Sequence, residues 1–159
     1  MGLDNLPITA ACEAEHGELF AGQAGCAEAA EAGLCPWKLE FGDREGAVLG
    51  IFGSPCWYRG RFGNWALEAV TAETGEKPPV TWYGTGKNPD APGELTLDPD
   101  ECTTLAAWME ARVEPYVKAR LDDAQRNDYD GNGAFDEWKY AADWLRWTAA
   151  NCGGSSAWY

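Results

Sequence analysis

Residues 98–121 read DPDECTTLAAWMEARVEPYVKARL, and residues 135–152 read FDEWKYAADWLRWTAANC. These two stretches decide the fold. In the first, Asp98 supplies a side-chain oxygen ahead of Pro99, the pattern of a helix N-cap followed by proline at the first helical position. Leu105, Met109, Val113, Val117 and Leu121 then recur at every fourth position, and Trp108 and Tyr116 widen the stripe. Pro115 lacks a backbone donor, so the reading expects a kink or a split there. In the second stretch Phe135, Trp138, Ala142, Leu145, Ala149 and Cys152 follow alternating steps of three and four, one face of a helix. Gly153-Gly154 ends it. The two helices are expected to pair as an antiparallel hairpin whose neighbouring ends carry Cys102 and Cys152. The stripes are those of core packing, not of a cofactor box.

Working outward, residues 1–95 are rich in Gly, Pro, Cys and aromatics, with short apolar runs. Ala27 to Ala32 predicts a short helix ended by Gly33. Ala47 to Phe52 predicts a strand, Asn64 to Thr74 a helix ended by Gly75, and Val80 to Tyr83 a second strand. Residues 84–95 read as a loop. The expected architecture is a single α+β domain over residues 1–159: a small, loop-rich, β-containing half (1–95) packed on an antiparallel helical hairpin (96–159). The closing Ala157-Trp158-Tyr159 is expected to dock near Trp57 and Trp65, the least charged stretch available, because two large rings repay ordering.

Net charge is −14, spread evenly over the two halves. Such a coat repels nucleic-acid phosphate, so direct nucleic-acid binding is not expected. It favours metal cations or a basic protein partner. No apolar run is long enough for a membrane span. The start, Met1-Gly2-Leu3-Asp4-Asn5, lacks the basic and apolar regions of a signal peptide. Secretion through a signal peptide is therefore not expected.

The six cysteines are Cys12, Cys26, Cys35, Cys56, Cys102 and Cys152. The first four fall where a core is hardest to build. They are the candidate set for a zinc site, with His16 as a substitute ligand, since tetrahedral zinc takes four thiolate or imidazole ligands. Their spacing is not that of paired CxxC motifs. Disulfides and ordinary buried thiols remain alternatives at this point, and six cysteines allow too many pairings for the sequence to choose.

Asp128-Tyr129-Asp130-Gly131-Asn132-Gly133-Ala134-Phe135-Asp136 resembles the opening of an EF-hand calcium loop. Asp128, Asp130, Asn132 and Asp136 fall at oxygen-ligand positions and Gly133 at the turn. The bidentate Glu of that motif is replaced by Lys139, so the same residues also read as a plain turn. A third candidate is the only charged part of residues 46–67, Trp57, Tyr58, Arg59 and Arg61. Arginine stacks on rings and forks onto carboxylates, which serves either a partner or internal scaffolding.

Enzyme signatures fail one by one. His16-Gly17-Glu18 with Pro55-Cys56 has Arg59 where a zinc deaminase needs a second cysteine. Gly84-Thr85-Gly86-Lys87 is flanked by Thr81 and Asn88, not by the glycine and hydroxyl of a phosphate loop. No catalytic residues are assigned.

The motifs Met1-Gly2-Leu3-Asp4-Asn5, Cys35-Pro36-Trp37, Pro55-Cys56-Trp57-Tyr58-Arg59-Gly60 and the ending Ala157-Trp158-Tyr159 together resemble small proteins encoded by tailed viruses of actinobacteria and haloarchaea. The resemblance implies a viral accessory or virion component and supplies no catalytic residues. It also implies that Cys26, Cys35 and Cys56 belong to a recurring pattern. The functional expectation is thus a non-enzymatic viral protein that acts through protein contacts with virion or host and is metal-stabilised. The alternatives are an acidic nucleic-acid mimic that blocks a host or defence protein, and a zinc-dependent enzyme.

Overall fold

The computed structural model describes residues 4–9, 11–17, 22–41, 49–51, 54–59, 64–80, 95–120 and 137–158. In chain order the elements are β1 (Asp4–Pro7), α1 (Ala11–His16), α2 (Gly22–Glu31), α3 (Pro36–Phe41), β2 (Leu49–Ile51), β3 (Ser54–Arg59), α4 (Asn64–Thr74) and β4 (Leu95–Leu97). They continue with α5 (Pro99–Trp108), a π-helical turn (Met109–Val113), α6 (Glu114–Arg120), α7 (Glu137–Asn151) and β5 (Ser155–Trp158). The fold is α+β.

Asp98 starts the first long helix as its chemistry dictates. Its carboxylate accepts from the Glu101 N–H at 2.8 Å, and the Glu101 carboxylate accepts from the Asp98 N–H at 3.0 Å. This reciprocal capping box satisfies two otherwise orphaned donors. Pro115 does not break the helix. Instead the π turn lies just before it, with the Glu114 N–H reaching back to the Met109 carbonyl. The wider turn also answers a problem of register. In a 3.6-residue helix every fourth residue overshoots by about 40°, so a long run of such steps drifts off one face. A π turn takes back part of that drift. Leu105, Met109, Val113 and Val117 accordingly all remain buried.

α5 packs along α7. The first turn of α5 lies beside the end of α7, where the Cys102 thiol meets the Ser155 hydroxyl at 3.5 Å. The connection between the helices lies outside the described residues. Of the expected stripe, Phe135 lies outside the described residues, Ala149 is half-buried, and Trp138, Ala142, Leu145 and Cys152 are buried. So are Tyr140, Trp144, Trp147 and Thr148, which the single-stripe reading left out. α7 is therefore covered on more than one side. α3 takes the second side through Trp37, whose ring meets Tyr140 at 5.7 Å and Trp147 at 5.1 Å, both edge-on, and Phe41 at 4.3 Å.

The sheet runs β2-β3-β1-β5-β4, antiparallel throughout. This corrects the division into a β-containing first part and a helical second part, because β4 and β5 come from residues beyond 94. β5 lies between β1 and β4, with Asn5 opposite Ala157 and Leu95 opposite Ala157. Ala157 and Trp158 are held in β5 between β1 and β4, and Tyr159 lies outside the described residues. The strand carrying Trp57 is one place further away, beyond β1. The turn from α7 into β5 needs its two glycines. Gly153 has φ 70° and Gly154 φ 110°, and the Gly154 N–H donates to the Thr148 carbonyl at 3.1 Å. This is the left-handed helix ending that glycine allows. A Cβ at Gly154 would sit 2.3 Å from the Leu97 carbonyl oxygen.

The helix over Asn64–Thr74 and its stop at Gly75, φ 74°, match the reading residue for residue. α2 begins earlier than expected, at Gly22, and Gly33 with φ 73° follows its end. Of the strand expected over Ala47–Phe52, Leu49–Ile51 form β2 and residues 47, 48 and 52 lie outside the described residues. Of the strand expected over Val80–Tyr83, residues 81–83 lie outside the described residues. Among the described residues no helix is long and apolar enough to cross a membrane.

Candidate functional site

The expected zinc ligands sit on four different elements. Cys12 is in the first turn of α1, Cys26 in α2, Cys56 in β3, and Cys35 immediately precedes α3. Of these, the side chain described is that of Cys35, a thiol that is 1% exposed. Among the described residues no three His, Cys, Asp or Glu side chains gather into a metal-binding group. Asp128, Asp130, Asn132 and Asp136 lie outside the described residues, as does Arg61. Trp57, Tyr58 and Arg59 form the end of β3, an interior strand flanked by β2 and β1. That placement makes the segment part of the sheet's framework.

The two cysteines of the helical part are thiols packed in the core. Cys102 donates towards the Leu97 carbonyl at 3.6 Å. Burial pushes its thiol above the ordinary value, and hydrogen bonds with Ser155 and Thr148 offset part of that. A thiol so placed is a poor nucleophile and a structural residue.

What the fold assembles instead is a groove of about 330 Å³ between α3 and α7, lined by Glu40, Phe41, Asp143, Arg146, Trp147, Ala150 and Asn151. Its floor is fixed. The Trp147 indole N–H donates to Glu40 Oε2 at 3.1 Å, and the Asn151 amide donates to the Trp147 carbonyl at 2.9 Å. Arg146 forks onto Glu110, with Nε to Oε1 at 2.9 Å and Nη2 to Oε2 at 2.5 Å. Those hydrogen bonds hold the Glu110 carboxyl below its usual value and raise the Arg146 guanidinium further. Glu40, which accepts from Trp147, and Asp143, whose charge helps to raise Arg146, complete the charged lining of the groove. Beside it, α3 carries Leu39, two residues on from the buried Trp37 and so about 200° round the helix. Leu39 is 72% exposed, and Leu34, just ahead of α3, is 41% exposed.

None of these residues was singled out in the sequence. The signal was present as a second stripe on the last helix, Tyr140, Asp143, Trp147 and Ala150, on a different side from the core stripe. No family model, no curated protein and no solved structure matches the chain.

Proposed function

We propose that this chain is a non-enzymatic viral accessory or virion protein that grips a basic protein partner at the face where α3 meets α7. The observation that carries the reading is a large apolar side chain, Leu39 at 72% exposure, held outward on a helix whose other side is locked into the core by Trp37. A single exposed leucine is ordinary on a protein surface. On the same short helix, Glu40 and Phe41 line a groove with Asp143 and Trp147, so aromatic walls and carboxylates follow it within two residues of sequence. Aromatic anchors ringed by polar groups are the composition of a protein interface. The net charge of −14 selects partners of the opposite sign and speeds their approach.

The nucleic-acid-mimic alternative draws on rows of unpaired carboxylates. Along α4 to α6 the carboxylates of Glu73, Glu76, Glu110 and Glu114 are paired instead, with Arg120, Arg112, Arg146 and Lys118.

A photo-crosslinking residue installed at position 39 tests the proposal in lysate of the natural host and in purified particles. The expected result is one discrete, basic crosslinked protein from position 39 and none from position 118 on α6. Crosslinks from position 118 alone, or from neither, contradict the reading.

A further inference from the structure

The groove between α3 and α7 is rich in groups that accept. Among its described lining residues, Glu40, Asp143 and Asn151 carry side-chain oxygens, and Arg146 carries the cation. Arg146 is forked onto Glu110, a residue of the π turn outside that lining. Asn151 commits its amide nitrogen to the Trp147 carbonyl at 2.9 Å, which keeps its oxygen as an acceptor. Glu40 takes the Trp147 indole N–H on Oε2 at 3.1 Å. A carboxylate offers about four acceptor positions, so that bond leaves Glu40 able to take others. Glu40, Asp143 and Glu110 together outweigh Arg146, so the neighbourhood is net negative. Lys38 and Lys139, close by in sequence, are not among the lining residues.

The walls and the size narrow the ligand. Phe41 is half-buried, Ala150 is exposed, and Trp147, 4% exposed, closes the floor. Trp37 holds Trp147 at 5.1 Å and Phe41 at 4.3 Å, so the apolar surface is preformed. A volume of about 330 Å³ lies at the small end of ligand sites, room for one side chain and not for a large organic molecule. Glu40 stands on α3 and Asp143 on α7, so carboxylates come from both helices that form the groove. A guanidinium is a flat fork of donors that bonds carboxylates on more than one edge and stacks on rings. An ammonium is a compact, strongly hydrated point charge and gains less from a ring wall.

We propose that this groove seats one arginine side chain of the basic partner, with the guanidinium between Glu40 and Asp143 and the aliphatic stem along Phe41 and Ala150. The assignment rests on the reading of the face where α3 meets α7 as the partner surface, and it adds the residue that is recognised there.

The test is an NMR titration of the full isotope-labelled chain with N-acetyl-arginine amide, and separately with the lysine and citrulline amides. Citrulline keeps the shape of arginine and lacks its charge. Arginine amide is expected to shift the Trp147 indole N–H and the backbone amides of residues 40, 41, 143, 150 and 151, saturating in the millimolar range. Lysine amide should bind more weakly, and citrulline amide should give no saturable shift. Glu40→Gln keeps an oxygen for the Trp147 indole and removes the charge, and it should weaken arginine amide about tenfold, the worth of a charged hydrogen bond. Lys118→Gln on α6 should leave binding unchanged. If Glu40→Gln fails to fold, the three amides on the unaltered chain decide. No shift at the groove, lysine or citrulline binding as tightly as arginine, or saturable shifts confined to other residues would overturn the proposal. A partner captured at position 39 without arginine shifts at the groove keeps the face and removes the arginine. Arginine shifts without capture at position 39 keep the guanidinium site and remove the partner face.

Discussion

The pair α5 and α7 buries Leu105, Met109, Val113, Trp144 and Leu145. The segment from β1 to α3 contributes Ala11, Ala29, Cys35 and Trp37 to the described core. The first region is long helices whose large side chains fill the core. A buried leucine or valine returns about 1.5–3 kcal/mol, against about 1–2 kcal/mol to fix one residue's backbone. Among the described residues the second region, Trp37 apart, contributes small side chains to that core. The contrast teaches where the fold is self-supporting and where it leans on something else. Trp37 leans on Tyr140 and Trp147 of α7.

Trp37 is the main bridge between the two regions, so its loss tests the contrast most heavily. Trp37→Ala should destabilise the chain by about 3–5 kcal/mol in urea unfolding, the range for a large ring removed from a packed core. Leu39→Ala, two residues away on the same helix but exposed, should change stability by less than about 0.5 kcal/mol. Equal effects would mean that α3 is not anchored through Trp37. Within the helical region, Gly154→Ala should cost at least about 2 kcal/mol, since a non-glycine residue is strained there and its Cβ would meet a rigid carbonyl. Gly75→Ala faces open space at φ 74° and should cost about half as much. The smallest effect belongs to the groove. Glu110→Gln should lose roughly 0.2–1 kcal/mol at neutral pH, the worth of a largely exposed pair. Because Arg146 lowers the folded Glu110 carboxyl, this contribution is fully present above the ordinary value of 4.5. It should vanish as the pH drops through the lowered folded value, so wild type and variant converge in acid-titrated melts. A difference that persists in acid would assign the effect to packing.

The same contrast governs what could be read in advance. Helices with strong local signals were legible: Asp98-Pro99, the four-step stripe from Leu105 and the stop at Gly75 each announce themselves within a few residues. Pro115 was legible as a disturbance but not as a π turn, because the remedy depends on keeping Val113 and Val117 against the core. The strands were mostly hidden. Asp4-Asn5-Leu6-Pro7 and Ser155-Ser156-Ala157-Trp158 show no apolar alternation, and each becomes a strand only because the other pairs with it across the whole length of the chain. The groove was hidden for a related reason. Glu40 and Trp147 are distant in sequence, and nothing near either one announces their hydrogen bond.

Amide hydrogen exchange of the full chain, followed by mass spectrometry at rising, sub-denaturing urea, tests the central contrast most directly. The account predicts that residues 22–41 lose protection first while residues 99–120 and 137–151 keep theirs. Unchanged exchange in the first set, or equal loss of protection in both, would contradict it.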